Sequence, residues 1–424
     1  GVAGESAGDW VDEAACWLVP SRWLMAVNPE GGREKGWDAD PEGEGSIPGA
    51  RRACRSARRR QRVPGIGHTG VMPCQPPSIE SIHMASLEAA LAAVAERTAR
   101  EGPWRSGAFA ALADSGMLAA FVAPAWGGTG LGEQPITWAL MAIAERCLTT
   151  ALALTQWAAA VRIISGGDDG VRAAMLPALA RGETPTTVGI SHLTTSRRHV
   201  GRPVLAATRT DAGWRLDGLC PWVTGADASA TIVTGGITDD GSQRFFVVAT
   251  GAEGLTIDPP MTMLALTGSR TSVVRFEGVQ PTHVMLPPAG GARTGGLATT
   301  ALAIGAARAS AAVIAREAMA RPTLETVADD LMGEIDALAA RLMGAARDGI
   351  DPADRDRLRA DANGLVVRVA QAALTATKGA GFVAGHPVER LVREAMFFLV
   401  WSCPQAVADA FLCDLTAQRP PSGA

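Results

Sequence analysis

Tyrosine is absent from these 424 residues, and lysine occurs only as Lys35 and Lys378 among 39 basic residues. Arginine thus carries nearly all the positive charge, a bias that a GC-rich coding sequence produces by itself. The net charge of -4 gives no field that would gather nucleic acid or an anionic membrane. No apolar run approaches the roughly 18 residues of a spanning helix, and a secretory signal pattern is missing. The seven cysteines contain no CxxC pair and no Cys/His metal spacing, and an odd number cannot all pair. His199, His283 and His386 have no metal spacing either. These absences predict a reduced, cytoplasmic protein with no metal, nucleic-acid or membrane partner.

What is present divides into four stretches. Residues 1–83 are rich in Gly, Pro and charge without an apolar period, and read as a disordered or non-native extension. Its basic run Arg51–Arg62 suits a nucleic-acid or targeting tail, but blocks of like charge are more often merely solvated. From Ser86, read as an N-cap, "SLEAALAAVAERTAR" places Leu87, Leu91 and Val94 on one helical stripe, and helical segments continue through residues 84–185. Over 186–290 the period shortens to β-branched runs broken by Gly and Asp, which predicts an antiparallel, barrel-like β-domain. Helical patterns return over 291–424. The fold class is α+β: an N-terminal helical domain, a middle β-domain and a C-terminal four-helix bundle.

Several motifs occur in that order: "FVAPAWGGTGLG", "LPALARGET", "GWRLDGLCPWVTGADAS", "LTGSRTSVVRFEGVQPTHVM" and "TKGAGFVAGHPVERLVREA". Together they resemble the acyl-CoA dehydrogenase family of flavoproteins over roughly residues 86–420. The resemblance implies FAD as cofactor, an acyl-CoA or other small-molecule substrate, an electron-transfer flavoprotein or flavin reductase as partner, and a homodimer or homotetramer.

It also assigns residues. Trp222 and Thr224 stand where a Trp and a Thr approach the flavin ring, an apolar plane beside the rings and a hydroxyl near them. Ser191, in "GISHLTTSRRH", stands where the family has a flavin-contacting Thr, while the glycines of that loop are replaced and Arg197 and Arg198 are present instead. The arginines are candidates for a CoA phosphate or another anion, or are simply solvated. Arg321, sixteen residues after Gly305, falls where an Arg meets the FAD pyrophosphate. Gly379 and Gly381 match a glycine loop that approaches the cofactor of a neighbouring subunit. Glu389, Arg390 and Arg393 read as structural ion pairs, Trp401 as a substrate neighbour, and His192 and Cys403 as groups of structural use in segments facing the flavin.

The family's proton-abstracting Glu is replaced by Ser402, and a second position used by some relatives falls at Gly295 and Gly296. A buried carboxylate suits the removal of an α-proton because burial raises its pKa, and a lone serine does not. Three readings remain open: a dehydrogenase of an acyl-CoA-like thioester at Cα–Cβ whose base lies elsewhere, for example Glu394; a monooxygenase of the same fold fed with reduced flavin; and a non-catalytic subunit of a hetero-oligomer.

Overall fold

The computed structural model describes residues 79–194, 204–287, 296–401, 407–409 and 412. Helices come first: α1 (Met84–Glu101), α2 (Pro103–Ser106), α3 (Ala108–Asp114), α4 (Glu133–Arg146), α5 (Leu148–Ser165) and α6 (Asp169–Ala180). Helix α1 begins two residues before the expected cap, with the His83 carbonyl accepting the first bond from Leu87 N. Leu87 and Leu91 are buried and Val94 is half-buried, so the apolar stripe faces the core as its spacing requires. Asp168 caps α6 by accepting a hydrogen bond from Val171 N at 2.9 Å.

Eight strands follow: β1 (Thr186–Gly189), β2 (Leu205–Thr210), β3 (Gly213–Thr224), β4 (Thr231–Thr238), β5 (Gln243–Ala249), β6 (Leu255–Ile257), β7 (Thr271–Val279) and β8 (His283–Met285), with the short helix α7 (Ser191–Thr194) after β1. They form one sheet in the order β6-β7-β3-β2-β4-β5-β8, with β1 beside β4. Most pairs are antiparallel, but β1 and β2 both run parallel to β4, so the sheet is mixed. Both faces are covered. Along β5, Phe245 and Val247 join the helical core, whereas Phe246 and Val248 join a second core with Leu216, Val274 and Phe276. This is the two-residue alternation of a strand buried on both sides.

The chain then returns to helices: α8 (Leu297–Ala320), α9 (Glu325–Asp348), α10 (Pro352–Thr377) and α11 (Pro387–Phe397). Pro at the first position and an acceptor just before it start two of them: Asp351 accepts from Ala353 N in α10, and His386 Nδ1 from Val388 N in α11. Contrary to the sequence expectation, α5 and α8 are long and apolar enough to cross a bilayer. Their apolar windows are 67% and 78% buried within the protein, which makes them core helices. Helix α8 is the innermost, and its Gly305 meets α4 so closely that a Cβ there would lie 2.3 Å from the Met141 carbonyl oxygen and 2.8 Å from Ala144 Cβ.

Gly305→Ala should therefore destabilise the chain by about 1–3 kcal/mol, read as a lower denaturant midpoint. Gly333→Ala, in the exposed interior of α9 with open space around it, should instead stabilise by about 0.5–1 kcal/mol. A midpoint unmoved by Gly305→Ala would show that α4 and α8 do not touch there.

Glu394, on α11, is only 5% exposed. Burial, only partly offset by Arg390 and Arg393, pushes its carboxyl from the ordinary 4.5 up to about 7. The folded chain thus holds this proton more tightly than the unfolded one. The contribution to stability is full below about pH 4.5 and is lost as the pH rises through about 7. Glu394→Gln should flatten that loss and raise stability at pH 8 relative to pH 5 by about 2 kcal/mol, measured by urea denaturation at the two pH values. Equal pH dependence in both proteins would place the carboxylate in water.

Candidate functional site

Strand β3 is long enough to need a device that re-aims its end, and the sequence supplies Pro221. Cys220 pairs with Val274, but Val223 pairs with Ser272, so three steps on β3 oppose two on β7. Pro221 lies in this bulge, where a missing N–H costs no ladder bond. The consequence is directional: Cys220, Pro221, Val223 and Thr224 are buried, while Trp222 turns outward and leaves 49% of its surface exposed. A flat apolar side chain is thereby offered at the sheet's surface.

The end of the same strand joins a chain of hydroxyls. Thr224 Oγ1 lies 3.1 Å from Thr271 Oγ1, which lies 2.9 Å from Ser269 Oγ. Thr187 of β1 donates to the Thr224 carbonyl at 2.7 Å. Ser269 sits in a 3-10 turn, Thr267–Ser269, flanked by two non-glycine residues in the left-handed region, Leu266 (φ 60°) and Arg270 (φ 50°). Such backbone is strained and persists only where its surroundings hold it. The holding contacts are visible: Leu266 is buried, and the Arg270 guanidinium grips the Asp227 carboxylate through several hydrogen bonds. Sequence reading took "LTGSRTS" as support for the fold more than for any site and missed the link of Ser269 and Thr271 to Thr224.

Ser191 opens α7, and its hydroxyl lies 4.0 Å from the Cys220 thiol. Cys220 is fully buried and burial pushes its thiol up to about 11, so it is a packing group rather than a thiolate. His192 donates from Nε2 to the Gly235 carbonyl at 2.7 Å and is buried, which lowers its pKa and keeps it neutral. That bond ties α7 to β4, the structural use expected of it. Ser191, Trp222 and Thr224 thus gather on β3 and the element beside it.

Arg321, Gly379 and Gly381 form a second group at one end of the bundle. Arg321 closes α8 and donates to Glu317 at 2.5 Å and to the Ala376 carbonyl of α10. The 3-10 turn Lys378–Phe382 follows α10. A Cβ on Gly381 would fall 2.0 Å from Thr377 Oγ1, so packing within the chain accounts for that glycine, whereas Gly379 is exposed and has open space around it. Among the described residues no hydrogen bond or ion pair joins this group to the Trp222 group.

Other expected residues are distributed as follows. Arg393 makes a two-pronged pair with Glu389 at 2.5 and 3.0 Å and donates to the Leu264 carbonyl at 2.8 Å, so it fastens α11 to the β-domain. Trp401 stacks on Phe397 at 5.1 Å, and its carbonyl accepts from the buried Arg359 at 3.2 Å. Sequence reading did not single out Arg359, which lies below the Phe398 and Trp401 rings. Arg197, Arg198, Ser402, Cys403 and Gly295 lie outside the described residues. Glu394 lines a cavity of about 170 Å³ whose walls are α4, the start of α5, α8 and α11. Neither Ser191, Trp222 nor Thr224 borders that cavity.

Residues 84–183 match the family model for the acyl-CoA dehydrogenase N-terminal domain. Among solved structures, butyryl-CoA dehydrogenase from Megasphaera elsdenii is similar with a TM-score of 0.66 at 18% identity, over 79% of this chain and 98% of that one. A glutaryl-CoA dehydrogenase from Mycobacterium smegmatis in complex with FADH2 gives 0.65 at 18%, over 80% and 96%. KijD3 in complex with dTDP gives 0.62 at 22%, over 79% and 94%. No curated protein matches the sequence. The order of helices, mixed sheet and bundle gives the chain the acyl-CoA dehydrogenase fold, and residues 84–183 match that family's N-terminal domain.

Proposed function

We propose that the chain is an FAD-dependent oxidoreductase that oxidises an acyl-CoA-like thioester at Cα–Cβ. The observation that carries this reading is the outward-turned Trp222, which the Pro221 bulge presents on the strand that also carries Thr224 and, at Cys220, meets Ser191. A flavin ring needs such a plane, and the hydroxyls are placed on the same strand and its neighbour. When bound, FAD supplies the two-electron acceptor. The protein's part is to shelve the ring on Trp222, orient it with Ser191 and Thr224, and keep water from the thioester.

The pyrophosphate end fits less simply, because Glu317 already occupies the Arg321 guanidinium. Arg321 serves a phosphate only by sharing or exchanging that carboxylate. That no hydrogen bond or ion pair joins the Arg321 and Trp222 groups among the described residues is compatible with a homodimer or homotetramer in which each flavin is held by two copies.

A second reading, a monooxygenase fed with reduced flavin, is supported by Ser402 at the family's base position and by the siting of Glu394 in a cavity that Trp222 does not border. That chemistry asks for no α-proton base. The relatives that share this fold are described with different ligands, FADH2 in one and dTDP in another, so fold alone does not choose the reaction.

Trp222→Ala should release FAD or shift its visible band; unchanged flavin content and spectrum would remove Trp222 from the site. Arg321→Ala should lower FAD retention, and Glu317→Gln, which frees the guanidinium, should raise it by severalfold. Equal retention in all three proteins would sever Arg321 from the cofactor.

The reaction itself is tested anaerobically, by mixing the FAD-loaded chain with short, medium, branched and aromatic acyl-CoAs. Bleaching of the flavin band by a thioester supports the dehydrogenase, which then passes electrons to an electron-transfer flavoprotein. A flavin that stays oxidised with every thioester, but reacts with oxygen once a flavin reductase has reduced it, moves the assignment to the monooxygenase.

A further inference from the structure

The cavity beside Glu394 owes its existence to small residues. Helix α8 turns Ala306, Ala309 and Ala312 toward it at helical spacing, so that α11 and the α4–α5 junction stand off from α8. Its volume of about 170 Å³ is of the order that holds a benzene-sized molecule. Unlike such an apolar void, this one is charged.

The charges are not all matched. Arg146 is engaged by Glu88 at 2.9 Å and by Glu145 at 3.5 Å. Glu394 and Arg316 are the two lining charges held least closely, for the Glu145 carboxylate has Arg146 at 3.5 Å. Glu394 is buried and accepts no hydrogen bond; its nearest cation, Arg390 Nε, is 3.9 Å away, and that arginine spends a donor on the Ala95 carbonyl. A buried carboxylate without a hydrogen-bond donor is uncommon and points to a missing one. Arg316 lines the same cavity from the exposed side of α8, and no carboxylate pairs with it among the described residues. A buried carboxylate with no hydrogen-bond donor and a loose ion pair thus sits within the cavity, and an exposed guanidinium without a carboxylate partner among the described residues stands at its edge.

We propose that this cavity binds a small zwitterion, an amino acid between glycine and 4-aminobutyrate in size, with its ammonium group on Glu394 and its carboxylate on Arg316. The ammonium supplies the donors that Glu394 lacks, and the alanines of α8 leave room for the short carbon chain between the charges. Trp222 does not border the site, and the inference does not rest on the reaction proposed above.

The test is calorimetric titration of the full-length chain with glycine, β-alanine and 4-aminobutyrate, set against propylamine and butyrate as probes carrying one charge each. At least one zwitterion should bind one-to-one and about tenfold or more tighter than either single-charge probe. Glu394→Gln and Arg316→Gln should each weaken it by about tenfold or more. Arg316 is exposed, so its variant retains the fold and keeps the test valid should Glu394→Gln prove unstable. Ala309→Leu, which fills the cavity, should abolish binding. Propylamine or butyrate binding as tightly as the zwitterions, no heat from any probe, or binding indifferent to Arg316→Gln would each overturn the proposal.

Discussion

The contact on which the bundle depends is the approach of α8 to α4 at Gly305. Backbone meets backbone there without a side chain between them, and an inner helix made largely of alanine lets α4, α9, α10 and α11 all close on it. Close approach costs the apolar area that larger side chains would bury, and the chain recovers it farther out through Leu331, Ile335, Leu338 and Leu342 on α9 and Leu358, Leu365 and Val369 on α10. The same small residues have two effects. Where the facing helix fits, they give a tight seam; where α11 and the α4–α5 junction stand off, they leave the cavity beside Glu394.

The sheet handles an opposite demand. It is covered on both sides, so a side chain that must face a ligand has to be turned out of a buried strand. The bulge at Pro221 does this for Trp222 while returning Val223 and Thr224 to the interior, one residue gained on β3 against β7. The strained turn at Leu266 and Arg270 then fixes Ser269 and Thr271 beside Thr224. Rigid support of this kind suits a planar group, because the plane's orientation is set by the strand rather than by a flexible loop.

Much of this was legible in the sequence, and the exceptions have physical causes. The order of helices, strands and helices follows from periodicity, and "CPWVTGADAS" pointed to Trp222 and Thr224 before any geometry. The parallel pairing of β1 and β2 with β4 joins residues about 30 to 45 apart, and nothing local signals it. Leu266 and Arg270 adopt left-handed backbone without the Gly or Asn that would announce it. Likewise, Glu317 beside Arg321 is an ordinary i,i+4 pair on paper; that it occupies a guanidinium expected to serve a phosphate emerges only from the fold.

The two glutamates of α11 show how position decides what a shared spacing does. Glu389 precedes Arg393 by four residues and Arg390 precedes Glu394 by four, yet the outcomes diverge. The carboxylate-first order is the favourable one, and Glu389 lies in the first turn, where the helix dipole favours negative charge. Its pair closes at 2.5 Å with a lowered pKa, held by the Arg393 hydrogen bond. Glu394 comes second, one turn from the end of the helix, where the dipole opposes it, and it faces inward. Its partner stays at 3.9 Å, and burial raises its pKa. A carboxylate so placed costs stability at neutral pH unless something donates to it. A ligand that does so would recover that cost.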